Sequence, residues 1–302
     1  MHMKIYEREP LTYRRTIPVF SFESDYTNNY EKIATYHMET EQQTGRNPWI
    51  QEDLWVEMEK STVELIRKYA EGRQRILDVG VGLGRVLSQF PEMERFGMDI
   101  SLDYLEEAQR KGINVCYALV EDMPYTEEFF DIVVCTDVLE HVLDLNLACA
   151  KILKTLKKSG ILIVRVPYRE DLSPYLLEND LYQYSHLRNF DEHSLRLLLE
   201  KIFKCEVIET VLTGYSALSL KMKDTISISQ DSKTVNNIIR MLKGMLRSAG
   251  YILKLFSKNL YRSFSKMVYR PTEINVVAIK KGRPDRLHQI PSTLPLVTPS
   301  TQ

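Results

Sequence analysis

A strand that runs directly into three closely spaced glycines constrains the fold of this chain more than any other feature. Residues 76–84 read Ile-Leu-Asp-Val-Gly-Val-Gly-Leu-Gly, an apolar run that ends in glycines at alternate positions. Because glycine adopts positive φ at little steric cost, the segment predicts a tight strand-to-helix turn whose backbone a ligand can approach closely. A dinucleotide-binding loop requires G-x-G-x-x-G/A, and Arg85 occupies the sixth position counted from Gly80. The spacing therefore disfavours a dinucleotide loop.

Downstream of Arg73, short apolar or β-branched runs alternate with segments whose apolar residues recur at helical spacing. This alternation predicts βαβ units and therefore an α/β fold with a mostly parallel sheet and helices on both faces. The predicted strands cover residues 75–79, 95–99, 114–118, 131–136, 161–167, 206–212 and 274–280. The predicted helices cover residues 49–69, 85–90, 102–111, 145–156 and 191–203.

The chain divides into four zones by composition. Residues 1–72 are polar and aromatic-rich, which predicts a helical extension that serves as a lid or a pocket wall. Residues 73–221 and 272–283 form the predicted α/β core, and residues 222–271 interrupt it as an insert before the last strand. Residues 284–302 are rich in Pro, Ser and Thr, which predicts a disordered tail.

The insert has a strongly biased charge. Residues 236–270 contain eight Lys or Arg residues and no Asp or Glu, with apolar residues throughout, which predicts basic amphipathic helices broken near Gly250. Three interpretations stay open: an anchor at a membrane surface, a homodimer or partner surface, and a helical cap over the active site. The anchor is favoured because a cationic face opposite apolar side chains suits anionic headgroups.

Composition and charge exclude several other classes. The formal net charge is −1, and the insert is too apolar for a phosphate-tracking stripe, so no nucleic-acid partner is expected. The four cysteines are widely spaced without a C-x-x-C pair, so neither a zinc site nor a disulfide framework is expected. The N-terminal residues lack an apolar signal-peptide core, and apolar runs are too short to span a membrane. A cytoplasmic location is expected, with peripheral contact at the inner face of the membrane as an open alternative.

Acidic residues follow several of the predicted strands. Asp99 lies at the end of the second strand, 15 residues after Gly84, and Asp122-Met123-Pro follows the third. The fourth strand leads into Asp137-Val-Leu-Glu140-His141. Open α/β sheets bind ligands at the carboxyl ends of their strands, so these side chains are expected to face one ligand site.

The order and spacing of these blocks resemble those of class I S-adenosylmethionine-dependent methyltransferases, including the ubiquinone-pathway O-methyltransferases. The resemblance covers about residues 73–215 and 273–281. It implies a Rossmann-like sheet of seven strands with the last one antiparallel, and S-adenosyl-L-methionine as the cofactor. The residues that it implies for cofactor binding are Asp78, Gly80, Gly82, Gly84, Asp99, Ile100, Asp122, Met123 and Asp137. Among them, Asp99 is expected to accept from the ribose hydroxyls, as a carboxylate can, and the resemblance places Asp122 at the adenine amino group.

Two histidines are the candidate catalytic residues. His141 follows the fourth strand, with Asp137 or Glu140 to orient it, and His186 precedes the helix at 191–203. Imidazole can accept the proton of a hydroxyl acceptor near neutral pH. Each histidine could instead serve only local hydrogen bonding. Asp137, Glu140 and His141 are also metal-compatible, but the spacing is common in metal-free relatives, so no metal is expected.

The sequence therefore predicts methyl transfer to a small-molecule, sugar or lipid-linked acceptor, on oxygen. Two alternatives stay open at this point. One is a catalytically inactive methyltransferase-like scaffold that binds a partner through the insert. The other is an NAD(P)-dependent Rossmann oxidoreductase, which the position of Arg85 and the acid two residues before Gly80 disfavour.

Overall fold

The strands of the described part of the chain form a single nine-stranded sheet. The computed structural model describes residues 4–48, 52–176, 186–215 and 241–281, except positions 242, 243, 247, 251 and 254. The strands are β1 (Thr12–Arg14), β2 (Ile17–Val19), β3 (Arg75–Val79), β4 (Glu94–Asp99), β5 (Asn114–Tyr117), β6 (Phe130–Thr136), β7 (Leu156–Pro167), β8 (Glu206–Thr213) and β9 (Glu273–Ile279). Their order across the sheet is β1-β2-β5-β4-β3-β6-β7-β9-β8.

Strand direction confirms the predicted fold class. Strands β3 to β7 are mutually parallel, whereas β9 runs antiparallel to both β7 and β8. The register pairs Val79 of β3 with Met98 of β4 and with Cys135 of β6. The carboxyl ends of these three strands therefore meet at one edge of the sheet, as the sequence predicts. This is a Rossmann-like sheet with β3 at its centre.

Burial on both faces explains why the central strands are almost entirely apolar. Leu77 of β3 and Val133 of β6 belong to one buried cluster, and Ile76 and Val134 belong to the cluster on the opposite face. Successive side chains of a strand point to opposite faces, so a strand covered on both sides needs a continuous apolar run.

The helices agree with the predictions in part. They are α1 (Asp25–Thr44), α2 (Glu52–Tyr69), α3 (Leu102–Arg110), α4 (Leu145–Thr155), α5 (Glu192–Arg196) and α6 (Lys258–Val268). The helix predicted at 85–90 is wrong, because the structure has only a 3-10 turn over Leu87–Gln89 before the chain reaches Pro91. The helix predicted at 191–203 is α-helical over α5 and continues with π-type hydrogen bonds over Leu197–Ile202.

The N-terminal extension contributes strands as well as helices, which the sequence prediction omitted. Strand β2 pairs in parallel with β5 through Val19 and Tyr117, and β1 closes a hairpin against β2. Ile17 is fully buried and Phe20 is 1% exposed, both within the core clusters of the sheet. The β1 and β2 segments are too short for their alternation to stand out in the sequence.

The described residues between 241 and 256 are helical, and α6 follows them before β9 completes the sheet. None of the described helices is long and apolar enough to cross a bilayer. The tail predicted to be disordered at 284–302 lies outside the described residues.

The burial of Ile17 predicts that the extension stabilises the sheet. Replacing Ile17 with Ala should lower the free energy of unfolding by about 2–5 kcal/mol, because the side chain is fully buried beside β5. Leu11→Ala is the matched control, since Leu11 lies in the same segment but is 49% exposed, and its effect should stay within about 0.5 kcal/mol. Urea unfolding measures both. If both substitutions changed the free energy of unfolding by equally small amounts, Ile17 would not contribute to the hydrophobic core of the sheet.

Candidate active site

The three glycines of the loop after β3 serve different purposes. All have positive φ, +76° at Gly80, +47° at Gly82 and +69° at Gly84. A Cβ atom at Gly80 would collide with Val138, and one at Gly84 would meet Ile113 at 2.7 Å. At Gly82 no atom of the other described residues, apart from its two chain neighbours, lies within 4 Å of the same position, so the backbone faces open space there. Gly80 and Gly84 thus allow close packing, and Gly82 leaves room for a ligand.

Asp99 lies at the end of β4 and is fixed by the backbone around it. Its Oδ2 atom accepts a hydrogen bond from the Gly82 amide at 2.9 Å, and Oδ1 accepts from the amides of Ile100 and Ser101 at 2.8 and 3.0 Å. Burial raises the pKa of Asp99 to about 6, although these three amides lower it. Oδ1 already accepts two hydrogen bonds and Oδ2 accepts one, so Oδ2 keeps a lone pair with which Asp99 can accept from a ribose hydroxyl.

Asp78 is a buried acid at the carboxyl end of β3. It is 2% exposed, and its Oδ1 atom has no hydrogen-bond partner among the described residues. Burial raises the pKa of Asp78 well above its ordinary value, and the charge of Arg165 opposes that shift. A buried carboxylate oxygen without a partner is costly, so this position fits a ligand that brings a donor such as an ammonium group.

Two residues of the N-terminal extension contact the carboxylate of Asp122, and the sequence analysis did not predict these contacts. Oδ1 of Asp122 pairs with Arg8 at 2.7 Å, and Oδ2 accepts from the Ser21 hydroxyl at 2.9 Å. Arg8 also donates to the backbone carbonyls of Asp122 and Phe20. The neighbouring Met123 is buried. An adenine amino group that donates to Asp122 would share its carboxylate with Arg8 and Ser21. No sequence motif indicated these two partners.

Asp137 is bound to the sheet at the end of β6. Its φ is +56°, its carboxylate pairs with the buried guanidinium of Arg165 on β7, and its amide donates to the Arg165 carbonyl at 2.9 Å. This ion pair shapes the turn that carries Val138 over Gly80 and continues to His141. A direct contact of Asp137 with the cofactor stays a prediction.

The two predicted catalytic histidines lie against each other, although they are far apart in sequence. The ring centroids of His141 and His186 are 4.6 Å apart in an edge-to-face arrangement. Nδ1 of His141 lies 2.6 Å from the hydroxyl of Tyr30 on α1. Nδ1 of His186 contacts the carboxylate of Glu170, which also accepts from the Tyr175 hydroxyl at 2.8 Å. Each imidazole is therefore oriented by a separate polar partner.

Sequence reasoning missed the residues that orient these histidines. Tyr30 lies in the N-terminal extension, where the aromatic composition pointed to a pocket wall but singled out no residue. Glu170 and Tyr175 lie in the segment after β7, which carries no recognisable motif. Only the folded arrangement brings them to the histidines.

Glu140 lies beside His141 and is more buried than the neighbouring acids Asp137 and Glu170. It is 1% exposed, and neither carboxylate oxygen has a hydrogen-bond partner among the described residues. Burial raises the pKa of Glu140 well above its ordinary value, and the charge of Asp137 raises it further. Oε1 of Glu140 lies 3.9 Å from Nε2 of His141.

Comparison with known proteins identifies the family of this core. Residues 77–164, from β3 into β7, match the family model described as Methyltransferase domain. The chain is 31% identical over 111 residues to the uncharacterised protein MJ1123 of Methanocaldococcus jannaschii, which covers 37% of this chain and 53% of that protein. It is 29% identical over 167 residues to the uncharacterised methyltransferase YcgJ of Bacillus subtilis, covering 50% of this chain and 66% of that protein.

A solved structure shares the fold at low sequence identity. Phosphoethanolamine N-methyltransferase 2 of Haemonchus contortus, solved in complex with S-adenosyl-L-methionine, superposes with a TM-score of 0.50 at 15% identity. The match covers 88% of this chain and 62% of that one. The chain spans about half the length of the first two curated relatives that it matches, 53% and 52%.

The chain contains a class I S-adenosylmethionine-dependent methyltransferase domain. The cofactor of this family is S-adenosylmethionine. Three features of the chain fit it: the open backbone at Gly82, the Asp99 carboxylate that is fixed at the end of β4, and the buried Asp78 oxygen that lacks a donor among the described residues.

The geometry predicts that Asp99 supports cofactor binding directly. Asp99→Ala should weaken S-adenosylmethionine binding by about 10- to 100-fold, the usual loss when hydrogen bonds to a charged group are removed. Glu94→Ala is the control, because Glu94 begins the same strand at its other end and is exposed. Isothermal titration calorimetry measures both affinities, and thermal unfolding checks the fold. Unchanged affinity in Asp99→Ala would refute the ribose role.

Proposed function

We propose that the protein transfers the methyl group of S-adenosylmethionine to a hydroxyl oxygen of a small-molecule, sugar or lipid-linked acceptor. The observation that carries this proposal is the convergence of two groups of residues at one edge of the sheet. The glycine loop with Asp99 lies at the ends of β3 and β4, and the pair His141–His186 lies beyond the end of β6.

The cofactor end of the site would act by positioning. S-adenosylmethionine supplies a methyl group that its sulfonium makes electrophilic, so the protein has mainly to align the acceptor with it. The amide of Gly82 is fixed by Asp99, and the open space above Gly82 lets a ligand lie against the backbone. Asp78, buried beneath the loop, would accept from an ammonium group.

The acceptor end would promote loss of a proton from the hydroxyl that is methylated. His141 and His186 are the groups at this end that combine imidazole chemistry with fixed orientation, through Tyr30 and Glu170. Tyr26 of α1 also donates to the His141 carbonyl at 3.3 Å, so α1 forms one wall of the acceptor region. Closure of this wall by the extension would keep water from the reaction.

We expect a labelled-methyl assay to test the activity and the histidines together. With labelled S-adenosylmethionine and an extract of the source organism, wild-type protein should label a small-molecule or lipid-linked product detectable by mass spectrometry. His141→Ala and His186→Ala should lower the rate by about 10²- to 10⁴-fold, the usual contribution of acid–base groups, and retain cofactor binding.

The control for this assay is His193→Ala, since His193 lies exposed on α5 outside the cluster. Its rate should equal that of the wild type. Product formation at the wild-type rate in both His141→Ala and His186→Ala would remove the histidines from the proposal. Absence of any labelled product with the wild type, despite cofactor binding, would favour a non-catalytic scaffold.

We also propose that the insert holds the protein at an anionic membrane surface, at the cytoplasmic face. Its described side chains expose several large apolar groups: Met241, Met245, Ile252, Leu255, Phe256, Leu260 and Met267. The same segment has eight basic residues and no acid between positions 236 and 270. Apolar side chains beside excess positive charge are typical of interfacial helices, which would bring the active site to a lipid-linked acceptor.

A pair of matched substitutions tests the anchor. Phe256 is 82% exposed in the insert and Phe22 is 79% exposed in the N-terminal extension, so each phenylalanine can be replaced by Asp at little cost to folding. Phe256→Asp should reduce flotation with vesicles that contain phosphatidylserine, whereas Phe22→Asp should leave it unchanged. Equal flotation of both variants and the wild type would contradict the membrane proposal.

A further inference from the structure

The first described residues of the chain pair with the segment that follows β5. Tyr6 forms an antiparallel bridge with Tyr125, and the amide of Glu7 donates to the Pro124 carbonyl at 2.8 Å. In an antiparallel pair the next residue along one segment lies opposite the preceding residue of the other. This register therefore brings Arg8 to the turn that begins immediately after β5.

The guanidinium of Arg8 is held at this turn by several contacts. Its Nη2 atom forms an ion pair with Oδ1 of Asp122 at 2.7 Å and donates to the backbone carbonyl of Asp122 at 2.9 Å. The same nitrogen donates to the Phe20 carbonyl at 3.1 Å, and the guanidinium lies 5.8 Å from the centre of the Phe20 ring. Because a guanidinium is a planar and rigid fork of donors, these partners together fix its orientation.

Ser21 holds the other oxygen of the same carboxylate. Its hydroxyl donates to Oδ2 of Asp122 at 2.9 Å and accepts from the amide of Leu119 at 3.0 Å. Ser21 is 3% exposed, and the amide of the preceding Phe20 donates to the Tyr117 carbonyl of β5 at 2.9 Å. The hydroxyl is therefore tied to the end of β5 on one side and to the carboxylate on the other.

The carboxylate of Asp122 can still accept a hydrogen bond from a ligand. Its side chain is 40% exposed, so a ligand can reach it. Oδ2 accepts one hydrogen bond from a described residue and Oδ1 is in ion-pair contact, whereas a carboxylate offers about four acceptor positions. An ionised carboxylate only accepts, so it suits an amino group and repels a carbonyl oxygen at the same place.

We infer that Arg8 and Ser21 are positioning residues that fix the Asp122 carboxylate for the adenine amino group, so that the site selects adenine over a purine with a carbonyl oxygen in its place. The inference rests on the proposed function, since methyl transfer needs S-adenosylmethionine bound at this edge of the sheet. A carboxylate held at both oxygens cannot turn away from an unfavourable ligand. The N-terminal extension would thus set the base specificity of the cofactor site.

Two ligands that differ at the position of the purine amino group test the inference by calorimetry. S-adenosylhomocysteine has the amino group, and S-inosylhomocysteine has a carbonyl oxygen there. Wild-type protein should bind S-adenosylhomocysteine about 10- to 100-fold more tightly, the range for a hydrogen bond to a charged group. Asp122→Asn should reduce this ratio of affinities by about 10-fold, because an amide can turn its N–H toward a carbonyl oxygen.

The positioning residues should change the same ratio without contacting the ligand. Arg8→Ala should lower it by about 10-fold and Ser21→Ala by about 2- to 10-fold, since each change frees one side of the carboxylate. Arg8→Lys keeps the positive charge and should retain more of the selectivity than Arg8→Ala. Arg14→Ala is the matched control, because Arg14 pairs with Glu23 in the same extension at similar exposure, and its ratio should equal that of the wild type.

Thermal unfolding confirms that each variant is folded. Wild-type selectivity in folded Arg8→Ala would overturn the inference, as would equal affinity of the wild-type protein for the two ligands. Tight binding of both ligands would leave the proposed function standing, because the cofactor site would still be present. If the wild-type protein bound neither ligand, the proposed function would fail together with the inference.

Discussion

A buried ion pair between Arg165 and Asp137 holds together the elements on which the site depends. Arg165 lies on β7 and pairs with Asp137 at the end of β6, while its Nη1 atom donates to Thr62 of α2 at 3.1 Å. Burial alone would lower the pKa of Arg165, but Asp137, Glu273 and other acids outweigh it and raise that pKa. An unpaired buried guanidinium would cost several kcal/mol, so the pairing fixes how these elements meet. The left-handed turn at Asp137 then aims the following residues at the ligand edge of the sheet.

The N-terminal extension contacts two groups of predicted site residues. Near the predicted adenine position, Arg8 pairs with Asp122, and at the histidine pair the hydroxyl of Tyr30 contacts His141. The same extension adds β2 to the sheet, and Ile17 packs in the core. The sequence predicts a lid or a pocket wall here, whereas the structure makes this segment part of the sheet, in contact with both Asp122 and His141.

The core fold could be predicted because each part of it has a local signal. The strand–glycine loop at 76–84 and the acid at Asp99 depend on backbone geometry and strand ends, which recur at fixed spacing. The pairs Tyr30–His141 and Glu170–His186 could not be predicted, because they join segments that only the folded sheet brings together. The helix expected at 85–90 failed for a different reason: the segment between Gly84 and Pro91 is too short for more than one turn.

The most direct test of this account is a head-to-head titration of the wild-type chain with S-adenosylhomocysteine and with NADH. The glycine spacing, the position of Asp99 and the unsatisfied oxygen of Asp78 predict saturable binding of S-adenosylhomocysteine at one site per chain and no binding of NADH. Binding of NADH without any binding of S-adenosylhomocysteine would contradict the account and assign the loop to a dinucleotide.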